Sequence, residues 1–354
     1  MAADSSRSRK IARVLQICQQ SLDTRALRLS LIEEIRTAVP FDAYAWLLTD
    51  PETQVGSAPI ADVPVRELPR LIRLKYLTSV NRWTELDDAV GFLSTATERN
   101  PERSLIWRDL LKNYGVLDIA SIVFRDRFGC WAFLDLWRIT EPRPFDQVDA
   151  DFLHAIAQPI TEAIRGATAA TFGLHPQPTS AKGPVVLMLS PDLDVKAQTA
   201  DTEEYLRVLI PTEEDRQPVP AAAYNVGAQL IALETGVDGH PAMSRVHLRD
   251  GAWLTLRAAR IGDRTTSEDA DIAVTIERSH PRERLQVFAR AAGLSPRETD
   301  LLQHLATGAN TRGIAQAMFV SEHTVQDHLK AIFEKTGTRS RSALLATATG
   351  VDSA

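Results

Sequence analysis

Two cysteines, Cys18 and Cys130, are too few among 354 residues for a disulfide framework or a thiolate zinc site, and neither stands in a CxxC pair. A reducing, cytoplasmic setting is expected. No apolar run approaches the eighteen or so residues that a membrane span needs, and MAADSSRSRK is not followed by an apolar signal core. No membrane association is expected. Surplus positive charge is lacking too: at a formal net charge of -6 the chain is unsuited to coating nucleic acid along its length, so any contact with DNA must be local. GxxxxGK[ST] loops, HExxH pairs and GxSxG turns are absent, and no acidic cluster with a lysine resembles a phospho-acceptor. Nucleotide hydrolysis, zinc peptidase or serine hydrolase chemistry and aspartyl phosphorylation therefore fall away. The chain reads as no enzyme, with no cofactor and no metal site expected.

The length exceeds one ordinary hydrophobic core and implies two or three domains. Ile11, Val14, Leu15 and Cys18, then Leu27, Leu31 and Ile35, recur at helical spacing on either side of a break at Ser21 to Thr24. FDAYAWLLT (41–49), Ala120 to Phe124 and Cys130 to Ile139 read as strands, while Leu68 to Val80, Ser104 to Asn113 and Asp146 to Ala163 read as helices. That mixture is an α+β domain over residues 11–170. From Gly166 to Gly183 the texture turns small, polar and breaker-rich, and 171–183 is assigned as a linker. Val185 to Leu189, a stretch through Tyr205 to Ile210, the acidic TEEDRQPVP, a helix at Ala221 to Glu234, and strands at Ser244 to Leu248, Ala252 to Ile261 and Asp271 to Glu277 form a second, smaller α+β domain, 184–280. Beyond Pro281 the pattern is helical throughout.

Residues 290–350 read as an all-α four-helix domain. In LSPRE, Ser295 can cap, Pro296 suits the first helical position and Glu298 completes a capping box. Gly308 stops that helix, Asn310 caps a second, and Ser321 caps a third after only Phe319 and Val320, which forces a tight corner between two short helices. On the third helix Val325, Leu329, Ile332 and Phe333 face a small core. Gln326, Asp327 and Lys330 fall on other faces, where an amide can read adenine, a carboxylate can accept from cytosine and an ammonium can reach guanine. Ser321 and Thr324 suit a phosphate oxygen, and Arg312, Lys335, Arg339 and Arg341 are candidate backbone clamps. Five basic against three acidic residues from Arg312 to Arg341 give weak attraction. A homodimer on double-stranded DNA is expected, with SALLATATG after Ser340 offering a small-residue dimer surface. His323 and His328, five apart, point about 140° away from each other on a helix and do not share a metal.

LSPRETDLLQHLATGANTRGIAQAMFVSEHTVQDHLKAIFEKTGTRSR resembles the LuxR-type helix-turn-helix over nearly its full length, through Ser295, Arg297 and Glu298, the Ile314-Ala315 pair, Ser321-x-x-Thr324-Val325, His328, Ile332, Lys335 and Arg341. The resemblance implies base contacts at Gln326, Asp327 and Lys330 and phosphate contacts near Arg312, Thr324 and Lys335. Gly313, Gln326 and Thr336 depart from the Glu, Lys and Leu common there. Upstream, 11–170 resembles a GAF domain and 184–280 a PAS domain, so the whole reads as two α+β sensor-type domains followed by a LuxR-type helix-turn-helix. These resemblances imply a transcription regulator, with an unidentified small-molecule ligand and RNA polymerase as candidate further partners. Two competing readings are a GAF-type enzyme with a DNA-binding tail and a protein that sequesters another regulator.

In the strand from Cys130, alternation places Trp131, Phe133, Asp135 and Trp137 on one face, a carboxylate among aromatics. Either they line a sensor pocket for an amine or hydroxyl group, or they form a core face on which Asp135 bonds a neighbouring backbone.

Overall fold

The computed structural model describes residues 2–174, 184–209, 220–248, 252–262 and 270–351. Helix α1 (Ala2–Cys18) turns into α2 (Thr24–Ala38), where the Asp23 carboxylate accepts from the backbone N–H of Arg25 and Ala26 and so starts the helix. Strands β1 (Ala43–Thr49), β2 (Gly56–Ala61), β3 (Val90–Phe92), β4 (Asp118–Asp126) and β5 (Gly129–Arg138) form an antiparallel sheet in the order β2-β1-β5-β4-β3. Helices α3 (Leu68–Leu77), α4 (Leu93–Ala96) and α5 (Leu105–Asp109) connect these strands, and α6 (Gln147–Ala170) follows from a capping box of Asp146 and Asp149. One face of the sheet is covered by α1, α2 and α6, and the other by α3 and α5.

Several expectations are corrected. The helix expected over Ser104 to Asn113 breaks at Leu110 into α5 and a 3-10 turn, Leu111–Tyr114. The small residues from Gly166 continue α6 to Ala170, because Ala163, Ala167 and Ala169 pack on the core; a 3-10 turn, Thr171–Gly173, follows, and 175–183 lie outside the described residues. Strands β2 and β3 are additions to the expected elements.

The second sheet repeats the first sheet's order. Strands β6 (Val185–Leu189), β7 (Val195–Gln198), β8 (Met243–His247), β9 (Trp253–Arg260) and β10 (Ile272–Arg278) lie as β7-β6-β10-β9-β8, all antiparallel. The stretch at Tyr205 belongs to a helix, α7 (Thr202–Leu209); most of TEEDRQPVP and the turns at 249–251 and 263–269 lie outside the described residues. Helix α8 (Ala221–Glu234) is buried continuously from Ala221 to Ala232. Its small side chains let it lie between its own sheet and α3 and β2 of the first unit, and Val55, Ile72 and Tyr76 share its core cluster.

Five helices complete the chain: α9 (Pro281–Ala291), α10 (Pro296–Ala306), α11 (Thr311–Met318), α12 (Glu322–Thr336) and α13 (Arg341–Thr349). Helix α9 sits at the junction. Phe288 meets Phe172 edge-on with ring centroids 5.3 Å apart, and Phe172 stacks on Trp253 at 4.8 Å, so the first unit, the second sheet and the terminal helices share packed aromatics.

Candidate nucleic-acid interface

Each of the three central terminal helices starts from a side-chain cap. Ser295 accepts from the N–H of Glu298 while Glu298 Oε2 accepts from the N–H of Ser295 at 2.6 Å; Asn310 accepts from Gly313 N–H at 2.8 Å, and Ser321 from Thr324 N–H at 3.0 Å. Leu301, Leu302 and Leu305 of α10, Ile314, Ala315 and Met318 of α11, and Val325, Leu329 and Ile332 of α12 close one small core. Between α11 and α12 the chain turns through Phe319 in the left-handed conformation (φ 56°) with its ring 94% exposed. Glu298 also accepts from Lys335 Nζ at 2.6 Å, tying the start of α10 to the end of α12. Burial works to raise the Glu298 carboxyl pKa, but the hydrogen bonds from Lys335 and Ser295 outweigh it and hold the group below its ordinary range.

This packing leaves Gln326, Asp327 and Lys330 exposed together on α12, with Thr324 half-buried at its first turn and Ser321 exposed at its cap. Asp327 lies 3.6 Å from His323 one turn earlier, an exposed contact of little energetic weight. Arg312 and Arg339 are exposed. Arg341 instead donates to Thr311 Oγ1 at 2.8 Å, and Lys335 to Glu298, so two of the expected clamps already brace the domain. The small-residue surface expected on α13 is partly taken: Leu344 and Ala348 are fully buried, and α13 packs on α9, α10 and the 3-10 turn at Phe172. Arg284 of α9 donates to the Thr347 carbonyl in the last turn of α13, where the helix dipole favours a cation.

The four residues expected around a sensor pocket do not stay together. Phe124 pairs with Ala132 and Arg125 with Cys130, which leaves Trp131 as a β-bulge. Alternation therefore changes sides there. Cys130 joins Phe133 and Trp83, whereas Trp131 packs with Trp46 and Phe124 and its indole N–H donates to Asp126 Oδ1 at 3.0 Å. Asp135 is buried and bonds side chains rather than backbone. It receives Ser121 Oγ at 2.6 Å, Trp83 Nε1 at 2.8 Å and Lys75 Nζ, 2.9 Å from its second oxygen, while Trp83 stacks on Phe133 at 4.7 Å. Lys75 was legible in principle: Leu68, Leu71, Ile72, Lys75 and Tyr76 share one helical face, and a lysine among apolar neighbours there calls for a buried acid. Burial pushes the Cys130 thiol up to about 12 and the Cys18 thiol up to about 11, away from thiolate chemistry.

A capped pair of short helices around a tight corner, with a polar face exposed on the second, defines a helix-turn-helix of the DNA-binding kind. Residues 292–348 match bacterial regulatory proteins of the luxR family, and this segment is a luxR-family domain. A probable HTH-type transcriptional regulator of Streptomyces halstedii, GfsR, is 44% identical over 52 residues, which cover 15% of this chain and 21% of that relative. The chain thus matches about a fifth of that relative's length. Among solved structures, Escherichia coli SdiA aligns over 97% of both chains at 12% identity with a TM-score of 0.36. A bacteriophytochrome from R. palustris aligns over 85% of this chain and 75% of its own at 15% identity and a TM-score of 0.33.

Proposed function

We propose that the chain is a sequence-specific DNA-binding transcription regulator that reads the major groove with α12 as a homodimer. The observation that carries this reading is the shared exposed face of Gln326, Asp327 and Lys330 on the third helix of a luxR-family domain. We assign phosphate contacts to Ser321, Thr324, Arg312 and Arg339; Lys335 and Arg341 would reach phosphate only by giving up Glu298 and Thr311. With so small a charge excess, two half-sites about one DNA turn apart are needed for useful affinity.

The proposed organisation is a GAF-like sensor domain at 11–170, a linker at 171–183, a PAS-like domain at 184–280 and the DNA-binding domain at 290–350. A signal that favours one arrangement of the upstream units shifts the dimer between DNA-competent and incompetent states. Phe133, Asp135 and Trp137 are assigned to the sensor pocket; Trp131 is not. Selection of random duplexes by the full chain, followed by sequencing, is expected to enrich a two-half-site motif. K330A is expected to lower affinity about tenfold or more and Q326A to relax preference at one base pair, each with an unchanged unfolding midpoint. The absence of any enriched motif, or saturation of a single half-site by a monomer, overturns the proposal.

A further inference from the structure

A cavity of about 40 Å³ lies between the first sheet, α3 and α8. Its wall is almost entirely apolar, and the charges at its edge are already spoken for: Lys75 pairs with Asp135, which also receives Trp83 and Ser121. Two neutral polar groups are not. Trp137 and Asn225 both line the cavity and are almost wholly buried, yet the indole N–H of Trp137 and Oδ1 of Asn225 have no hydrogen-bond partner among the described residues. Buried indole N–H and amide oxygen groups ordinarily find partners, because leaving one unpaired costs free energy.

The orientation of Asn225 is fixed. Its Nδ2 donates to the Ala221 carbonyl at 2.7 Å, so flipping the amide would set two oxygens against each other and the acceptor must stay directed away from its own helix. Gly56 makes room for it: a Cβ there would stand 2.9 Å from Asn225 Oδ1 and 2.7 Å from Leu47. Asn225 belongs to the second unit, whereas Trp137 belongs to the first. A residue with an unpaired donor and a residue with an unpaired acceptor therefore line one cavity from opposite sides of the junction.

We infer that this cavity is a binding site for a small uncharged molecule of the amide or hydroxy-carbonyl class, which accepts from Trp137 and donates to Asn225. An anion would have to draw Lys75 away from Asp135, and a cation would have to draw Asp135 from Lys75; a neutral ligand disturbs neither. The volume admits only a few heavy atoms or two to three waters, and a longer ligand requires α3 to shift. Occupancy bridges β5 and α8, so binding strengthens the contact between the two α+β units. The inference rests on the sensor reading of the first unit and not on the DNA-binding reading.

The test uses the full chain with propionamide and hydroxyacetone as probes, against propionate and propylammonium as charged controls. Millimolar propionamide is expected to shift the indole resonance assigned to Trp137 by its loss in Trp137→Phe, and to raise the thermal midpoint; the charged probes do neither. Asn225→Leu is expected to weaken the response at least tenfold, and Ile106→Phe, which fills the cavity, to abolish it. Equal responses to all four probes, or no movement of the Trp137 resonance in the unaltered protein, mean a cavity holding water only and overturn the proposal. A thermal shift that survives Trp137→Phe, Asn225→Leu and Ile106→Phe alike places the probe elsewhere and overturns it too. Duplex selection run beside these measurements separates a failed pocket from a failed DNA-binding reading, since a motif still enriched leaves the latter intact.

Discussion

Arg245 shows how single residues join the upstream units. Its side chain is fully buried on β8, where Nε and Nη2 donate to the two oxygens of Asp50 at 2.7 and 2.8 Å, Nη2 to Glu52 at 2.8 Å and Nη1 to Gln286 of α9 at 3.0 Å. One guanidinium thus connects the β1-β2 turn of the first sheet, an edge strand of the second and the helix that leads to the DNA-binding domain. Burial raises the Asp50 carboxyl pKa, but the hydrogen bond and charge of Arg245 outweigh it and the group stays ionised below its ordinary range. Arg245→Met strands a buried carboxylate, and urea unfolding is expected to show a loss of about 3 to 5 kcal/mol. Adding Asp50→Asn removes the stranded charge and keeps an acceptor for the N–H groups of Glu52 and Thr53, but sets an amide nitrogen against the backbone N–H of residue 245, so it is expected to recover only part of that loss. The sign with pH follows from the lowered pKa: the contribution of Asp50 is complete above its unfolded value near 4 and is lost as pH falls through its folded value below that. The stability gap between the unaltered protein and the double variant should therefore be flat above about pH 5 and shrink below about pH 4.

At the scale of elements, the corner between α11 and α12 stores strain in Phe319. A non-glycine residue in the left-handed conformation costs about 1 to 2 kcal/mol, and its exposed ring gains almost no packing there. Phe319→Gly relieves that cost but increases the freedom of the unfolded chain, so a net gain of about 0.5 to 1 kcal/mol is expected, read as a higher thermal midpoint. Caps such as Ser295, Asn310 and Ser321 were legible in the sequence because each acts within three residues of itself, and the same locality made α10 to α12 and their exposed face readable. Features that depend on distant partners were not. The bulge at Trp131 arises from how β4 meets β5, and strict alternation along β5 has no means of anticipating it. Strand β2 carries Gly56 and Pro59, which argue against a strand in isolation; it survives because it is a sheet edge, where proline is tolerated. The α13 surface looked available for a dimer because nothing in its own sequence announces that α9 folds back upon it.

Across the whole molecule, the question is whether the DNA-binding helices are tethered or held. Phe172, just past the end of α6, stacks on Trp253 of the second sheet, meets Phe288 of α9 and lies beneath the Arg284 guanidinium at 4.9 Å. That guanidinium is buried, and desolvation lowers its pKa to about 10; its other contact is the Thr347 carbonyl of α13. Gly350 (φ 70°) closes α13 against it, and a Cβ there would come within 3.1 Å of the guanidinium. Phe172 therefore holds together parts that the DNA-binding core, built on Leu301, Leu302, Ile314, Val325, Leu329 and Ile332, does not itself contain. Phe172→Ala removes about 3 to 5 kcal/mol of packing at that junction and leaves the terminal domain's own core untouched. If the head is held, calorimetry should resolve a separate transition for the terminal helices in the variant where the unaltered protein shows them unfolding with the upstream units. Small-angle scattering should show a larger radius of gyration. A variant that keeps both the single transition and the original radius would mean that the aromatic junction does not restrain the terminal helices.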